Sequence, residues 1–337
     1  MTSDTTSRKT YLITGGAGFI GSHLADALVE RTHQVVLLDN VSTGRLDNVA
    51  HLLGNPRVEF FEGSILDEGL VRKLVSEADV VVHLAASVGV KLIVERPLET
   101  LMNNIRGTEV VLDACAELNR KVLVASTSEI YGKNAFGPLH EESDRILGSP
   151  FKARWSYSTG KAVDEILAYT YHRERGTPSI VARLFNCVGP RQTGAYGMVV
   201  PTFFRQALLG QDVTVYGTGE QSRCFCHVTD TVAGLLSLLD EPRAVGDVFN
   251  VGAPHEISMN ALAERVIEMT GSPSRIVHVP YEAAYEEGFE DMERRVPDVS
   301  KIQALTGWSP THSLDDILHD VLTFERARLS EELVSTR

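Results

Sequence analysis

Thr14-Gly15-Gly16-Ala17-Gly18-Phe19-Ile20-Gly21 decides the fold of this chain. An apolar run, Tyr11-Leu12-Ile13-Thr14, precedes it, and a helical pattern from Gly21 to Arg31 follows it. Strand, glycine turn and helix in that order make a pyrophosphate-binding turn. The glycines permit a tight bend, close backbone approach to an anion and close helix–strand packing. The helix N-terminus supplies unpaired N–H donors to that anion. A second buried run, Gln34-Val35-Val36-Leu37-Leu38-Asp39, ends on an acid. A carboxylate there can hydrogen-bond a ribose diol and repel a 2′-phosphate, so NAD is expected rather than NADP. The plainer alternative for Asp39 is an acid that caps a turn.

Outward from this unit, further apolar runs cover Val58–Phe61, Val80–Leu84, Lys121–Ser126 and Ser179–Arg183. Helical patterns separate them, at about 67–77, 108–118 and 157–175. Continuous apolar strands alternating with amphipathic helices predict an α/β protein, a Rossmann-type doubly wound parallel sheet buried on both faces. Residues 10–186 form the expected dinucleotide-binding domain. Beyond them the loops lengthen and become rich in Gly and Pro, and the helices shorten, as at 260–270 and 314–329. This predicts a smaller α/β C-terminal substrate-binding lobe over 187–330, partly interleaved with the first domain. Residues 1–9 and 331–337 are expected to be flexible tails.

Composition narrows the partners. The 337 residues suffice for one large or two modest domains, and 43% hydrophobic content is ordinary for a globular protein. A formal charge of -13 disfavours nucleic acid and anionic membrane as main partners, since both reward cationic surface. No apolar stretch of membrane-spanning length and no secretory signal is visible, so a cytoplasmic location is expected. Cys115, Cys187, Cys224 and Cys226 lack Cys-x-x-Cys spacing and read as buried free thiols, not metal ligands.

Trp155-Ser156-Tyr157-Ser158-Thr159-Gly160-Lys161 carries the chemistry. A spacing of four on a helix places a phenol and an ammonium on one face. A nearby cation favours phenolate, so Tyr157 is a candidate general base, with Lys161 and a cationic nicotinamide expected to lower its pKa.

Several motifs in order resemble the extended short-chain dehydrogenase/reductase family, the NAD-dependent nucleotide-sugar epimerases, dehydratases and decarboxylases. They are the glycine turn, His83-Leu-Ala-Ala86, Asn104-Ile-Arg-Gly-Thr108, Ser126-Thr-Ser-Glu-Ile-Tyr-Gly132, Tyr157-x-x-x-Lys161 and Arg183-Leu-Phe-Asn-Cys-Val-Gly-Pro190. The resemblance implies a cofactor site built from Gly15, Gly18, Phe19, Ile20 and Gly21, with Asp39 and Asn40 on the adenosine ribose. Ser64 and Ile65 flank the adenine, Leu84, Ala85, Ala86 and Asn104 line the dinucleotide path, and Lys161 bonds the nicotinamide ribose. It also implies that Thr127 shares the substrate 4-oxygen with Tyr157, and that Ser128 stands where some dehydratases place a proton-donating aspartate. Asn186 and Arg223 match diphosphate contacts. The segments around Val200 and Val215 match where the family grips a uracil ring. A homodimer through a four-helix bundle is implied as well.

Glu129, Arg191 and Arg295 bear on the substrate. Decarboxylases and dehydratases of the family carry glutamate at the Glu129 position, where a purely structural acid is the alternative. Lys152-Ala-Arg154-Trp155-Ser-Tyr157 and the stretch from Gly288 to Pro297 resemble the bacterial UDP-glucuronate decarboxylase of the aminoarabinose pathway and plant UDP-apiose synthase, and in that decarboxylase the arginine matching Arg295 acts near the uronate carboxylate. Arg191 resembles the carboxylate-contacting arginine of UDP-glucuronate 4-epimerases. A guanidinium suits a carboxylate, although either arginine could instead hold a diphosphate or lie on the surface. The expected activity is a UDP-sugar 4-epimerase acting through a bound 4-ketose, with UDP-glucuronate converted to UDP-galacturonate. Epimerisation is placed first because it demands least beyond Thr127, Tyr157 and Lys161. UDP-glucuronate decarboxylation, to UDP-xylose or its 4-keto precursor, is the alternative. UDP-glucose 4-epimerisation, 4,6-dehydration and a non-enzymatic NAD-binding scaffold rank lower.

Overall fold

The computed structural model describes residues 8–87, 97–194, 197–284 and 292–335. The first half alternates strand and helix: β1 (Thr10–Thr14), α1 (Phe19–Glu30), β2 (Gln34–Asp39), β3 (Val58–Glu62), α2 (Glu68–Glu77) and β4 (Val80–His83). It continues with α3 (Pro97–Glu117), β5 (Lys121–Thr127), α4 (Ser156–Arg175) and β6 (Ser179–Leu184). These strands form one parallel sheet in the order β3-β2-β1-β4-β5-β6, as expected. The order reverses between β1 and β4, and that switch point opens a crevice beyond the strand C-termini.

Alternation along each strand builds two cores. Ile13, Leu37, Val82 and Leu123 pack with α1 on one face, while Leu12, Val36, Val81 and Val122 pack with α2 and α3 on the other. Local signals set the helix ends. Asp67 caps α2 by accepting from the Leu70 N–H at 3.0 Å, and Gly176, left-handed at φ 72°, closes α4.

The C-terminal half contributes β7 (Cys187–Val188), α5 (Val199–Leu208), β8 (Val213–Tyr216), β9 (Ser222–Cys224), β10 (Cys226–His227) and α6 (Val228–Asp240). Then follow β11 (Val248–Val251), β12 (Glu256–Ser258), α7 (Met259–Thr270), β13 (Ile276–Val279), α8 (Ser300–Thr306) and α9 (Leu314–Ser335). Three of these return to the first half. β11 extends the main sheet beside β6, while α6 and, through Ile302, α8 pack into the α1 side of its core. The remaining elements enclose a third core around Val200, Phe204, Val215, Leu262 and Leu318.

Two elements differ from expectation. The helix expected from residue 108 begins at Pro97, because Asn104 and Thr108, which interrupt the apolar pattern, are buried polar residues with hydrogen-bonding partners. The tail expected from 331 is helical through Ser335, since Glu332 pairs with Arg205 at 2.8 Å and ties α9 to α5. At the other end, Arg8 and Lys9 are also placed, with the Lys9 carbonyl accepting from the Gln34 N–H. No helix among the described residues is long and apolar enough to cross a membrane.

Candidate active site

The crevice is built first from backbone. Gly15 is left-handed at φ 73°, and a Cβ there would stand 2.9 Å from the Ala85 nitrogen. A Cβ on Gly21 would collide with the Gly15 carbonyl. The glycine turn and the Leu84–Ala86 wall are therefore pressed together as only glycine allows. No side chain caps α1 and no acid occupies its first turn, which leaves the N–H groups after Gly18, at Phe19 and Ile20, for an anion.

Asp39 closes the end of the crevice where the adenosine ribose is expected. Its Oδ2 accepts from the Ala17 N–H at 2.9 Å and its Oδ1 from the Val41 N–H at 2.8 Å. Burial raises its pKa, and these backbone donors oppose that shift. Asn40 beside it is exposed and accepts from the Ser42 hydroxyl at 2.7 Å. Ser64 accepts from the Leu66 N–H, and Ile65 covers Gly107 on α3. Asn104 is engaged with Ser87, accepting from its N–H at 2.7 Å and donating to its carbonyl at 3.1 Å. It thus fixes the chain just after Ala86. A turn free for an anion, an acid at the end of β2 and a wall along β4 fit a dinucleotide.

At the other end, β5 delivers Thr127 and the following turn delivers Ser128 and Glu129, while α4 presents Tyr157 and Lys161. Thr127 accepts from the Glu129 N–H at 3.2 Å and is hydrogen-bonded to Tyr157. Ser128 is buried behind them.

Lys161 behaves differently from expectation. Its ammonium donates to the Ala125 carbonyl at 3.0 Å and lies 3.1 Å from Asp164 Oδ2. The Tyr157 pKa is raised, first by burial and then by the negative charges of Glu129 and Asp164, and the Thr127 hydrogen bond opposes this. Asp164 was not singled out in the sequence, and it offsets the cation from which a depressed pKa was expected.

Glu129 is the centre of a second cluster. Both terminal nitrogens of Arg154 reach its carboxylate, Nη2 to Oε1 at 3.0 Å and Nη1 to Oε2. Arg295 Nη1 joins at 3.3 Å, and its Nη2 donates to Asn186 Oδ1 at 3.1 Å. Burial would raise the Glu129 pKa, but the two guanidiniums hold it down to about 2. In the sequence, only the position of Arg154, three residues before Tyr157 at the foot of α4, signals its place in the site.

The remaining expected residues divide. Asn186 also donates to the Cys224 carbonyl at 2.8 Å, while Arg223, buried, donates to the Ser222 carbonyl at 2.8 Å. Val200 and Val215 point into the third core, which leaves only their backbone for a base. Arg191 is not brought to the Glu129 cluster. It adopts φ 69° and lies 2.8 Å from Asp26 on α1, whose carboxylate supplies the partner expected from a uronate. Residues 288–291 of the stretch leading to Arg295 lie outside the described residues.

Known proteins place this geometry. The family model for GDP-mannose 4,6 dehydratase matches residues 12–321. UDP-N-acetyl-alpha-D-glucosaminuronate decarboxylase of Bacillus cytotoxicus is 41% identical over 95% of this chain and 98% of its own length. UDP-glucuronic acid decarboxylase 1 of Xenopus tropicalis is 36% identical over 96% of this chain and 74% of its own. Among solved structures, UDP-glucuronic acid 4-epimerase from Bacillus cereus, in complex with UDP-glucuronic acid and NAD, superposes with a TM-score of 0.86. It is 29% identical, covering 95% of this chain and 99% of that one. The chain thus belongs to the extended short-chain dehydrogenase/reductase family of nucleotide-sugar epimerases, dehydratases and decarboxylases.

Proposed function

We propose that this protein is an NAD-dependent UDP-hexuronate decarboxylase. The observation that carries the reading is Glu129 gripped by Arg154 and Arg295 beside the Thr127–Tyr157–Lys161 group. Epimerisation is the first expectation from the sequence, and relatives at 41% and 36% identity that are decarboxylases support the alternative better.

The chemistry follows from bond positions in the sugar. Bound NAD supplies an acceptor for the C4 hydrogen and a positive charge beside the phenol. Tyr157, as phenolate, takes the C4 hydroxyl proton, and Thr127 holds the same oxygen. A ketone at C4 makes the C6 carboxylate a β-keto acid. When the C5–C6 bond breaks, its electron pair passes into C5 and onto the C4 oxygen, and CO2 leaves. Thr127 and protonated Tyr157 donate to that developing oxyanion. Arg295, bridging Glu129 and Asn186, is the guanidinium placed between the acid cluster and the expected diphosphate contact, and it orients the uronate carboxylate. Asn186 and Arg223 hold the diphosphate, and the backbone near Val200 and Val215 meets the uracil. Uptake of a solvent proton at C5 completes the 4-keto pentose from UDP-glucuronate, and UDP-xylose would require in addition the hydride back at C4 and the Tyr157 proton on its oxygen.

The assembly proposed is a homodimer through α3 and α4. These helices pack on each other and expose Leu98, Met102, Ile166 and Tyr169 on their outer faces.

Feeding UDP-glucuronate and UDP-N-acetylglucosaminuronate separately, and following products by mass, tests the reaction. Loss of the mass of CO2 from either is expected. An isobaric product retaining the carboxylate would return the assignment to epimerisation.

A further inference from the structure

Asp164 is fully buried on α4, one turn beyond Lys161, and the reaction just described gives it no task. Its surroundings form a continuous polar chain through the parallel sheet. The Ala85 N–H meets Thr14 Oγ1 at 3.3 Å, Thr14 Oγ1 meets His83 Nδ1 at 2.8 Å, and His83 Nε2 meets Thr108 Oγ1 at 3.1 Å. Thr108 also interacts with Asp164; burial raises the Asp164 pKa, and Lys161 and the Thr108 hydroxyl oppose that shift.

The direction of this chain follows from its end. With the Lys161 ammonium 3.1 Å away, Asp164 is taken as the carboxylate of an ion pair, which can only accept, so the Thr108 hydroxyl is the donor toward it. Thr108 Oγ1 is then the acceptor for His83, which carries its proton on Nε2 and accepts on Nδ1 from Thr14. Thr14 in turn accepts from the Ala85 N–H. Burial pushes the His83 pKa down to about 3, with Lys161 adding to the effect, so the ring is the neutral imidazole this order requires.

We propose that Asp164 is the positioning residue of the oxidising site, anchoring Lys161 from beneath and tying it through Thr108, His83 and Thr14 to the Ala85 wall of the cofactor crevice. An ammonium has three donors. The Ala125 carbonyl accepts one, and the Asp164 carboxylate, 3.1 Å away, holds the ammonium as an ion pair, which leaves donor capacity for the crevice. The loop that lines the dinucleotide and the lysine that meets its ribose therefore move as one body. The same negative charge makes Tyr157 harder to ionise, and this is the readout.

The other charged groups around the pair are accounted for. On α4, Glu165 faces Asp164 but is held by Arg183 of β6 and by Ser126 of β5. Glu129, which follows β5, acts on Tyr157 and is matched by Arg154 and Arg295. His83 of β4 is neutral, and α3 presents the uncharged Thr108.

The proposal rests on Tyr157 and Lys161 as the C4-oxidising pair, common to decarboxylation and epimerisation, so its test avoids turnover. In the NAD-loaded protein, ionisation of Tyr157 is read from tyrosinate absorbance after subtracting a Tyr157→Phe background. Asp164→Asn keeps the shape and removes the charge. It is expected to move the Tyr157 titration to lower pH by roughly half a unit or more, and to release NAD several-fold faster. Ser158→Ala, at an equally buried uncharged site on the same helix, is expected to leave the titration in place. If Asp164→Asn does not fold, Thr108→Val serves, since it destabilises the Asp164 anion and shifts Tyr157 the same way by less. An unmoved Tyr157 titration in the folded charge variant, or an equal shift in Ser158→Ala, overturns the proposal.

Discussion

Arg154 grips Glu129 with both terminal guanidinium nitrogens, at side-chain exposures of 4% and 15%. A forked contact of this kind fixes both the position and the plane of the carboxylate. The pair is buried, so removing one partner leaves a charge without its match. Arg154→Ala is expected to lose about 3 kcal/mol of stability in urea unfolding, and decarboxylation at least about tenfold through misplacement of Glu129. Arg154→Lys, which cannot make the fork, should lie between. Parent-like turnover in a folded Arg154→Ala protein would remove Arg154 from the site.

Because Glu129 is held down at about 2, it remains a carboxylate throughout the neutral range and donates no proton there. The sign of its contribution to stability follows. A carboxyl whose folded pKa lies below its unfolded value stabilises the fold above the unfolded value and loses that contribution as pH falls toward about 2. Glu129→Gln should therefore flatten the stability-versus-pH curve between roughly pH 4.5 and 2, with little change in slope above it. Urea midpoints collected across that interval check this.

The crevice was legible in the sequence because it is made of backbone geometry. Gly15 and Gly21 answer to close approaches that no other residue permits, and Asp39 must end a strand beside them. The state of Lys161 was not legible. A Tyr-x-x-x-Lys spacing places two side chains on one face but is silent about what lies beneath the lysine, and Asp164 reads as one more polar position on a helix. Arg154 and Glu129 are 25 residues apart and meet only when β5 and α4 pack. Arg191 pairs with Asp26, which lies on a helix far back in the chain and is not signalled by the local sequence.

Arg295 touches Glu129 with one nitrogen and Asn186 with the other, linking the acid cluster to the expected diphosphate contact. If it orients the uronate carboxylate, Arg295→Ala should separate binding from chemistry. UDP affinity, measured by calorimetry, is expected to stay within about threefold, while CO2 release falls by about a hundredfold or more. A parallel loss of both would instead make Arg295 a diphosphate ligand.

Leu98 and Met102 on α3 are 73% and 57% exposed, and Ile166 and Tyr169 on α4 are 61% and 51% exposed. Gly160 lets the two helices approach, since a Cβ there would come within 3.1 Å of Leu101. Four large exposed apolar side chains on two packed helices offer an apolar stripe that a second copy can cover with its own about a two-fold axis. A charge at the centre of such an interface is left buried and unmatched. Ile166→Glu is therefore expected to convert the dimer to a monomer in sedimentation velocity, at protein concentrations where the parent remains associated. Ile166 lies on the opposite side of α4 from Lys161, so the monomer should retain NAD. A parent protein that sediments as a monomer at every concentration would show that the stripe serves some other contact.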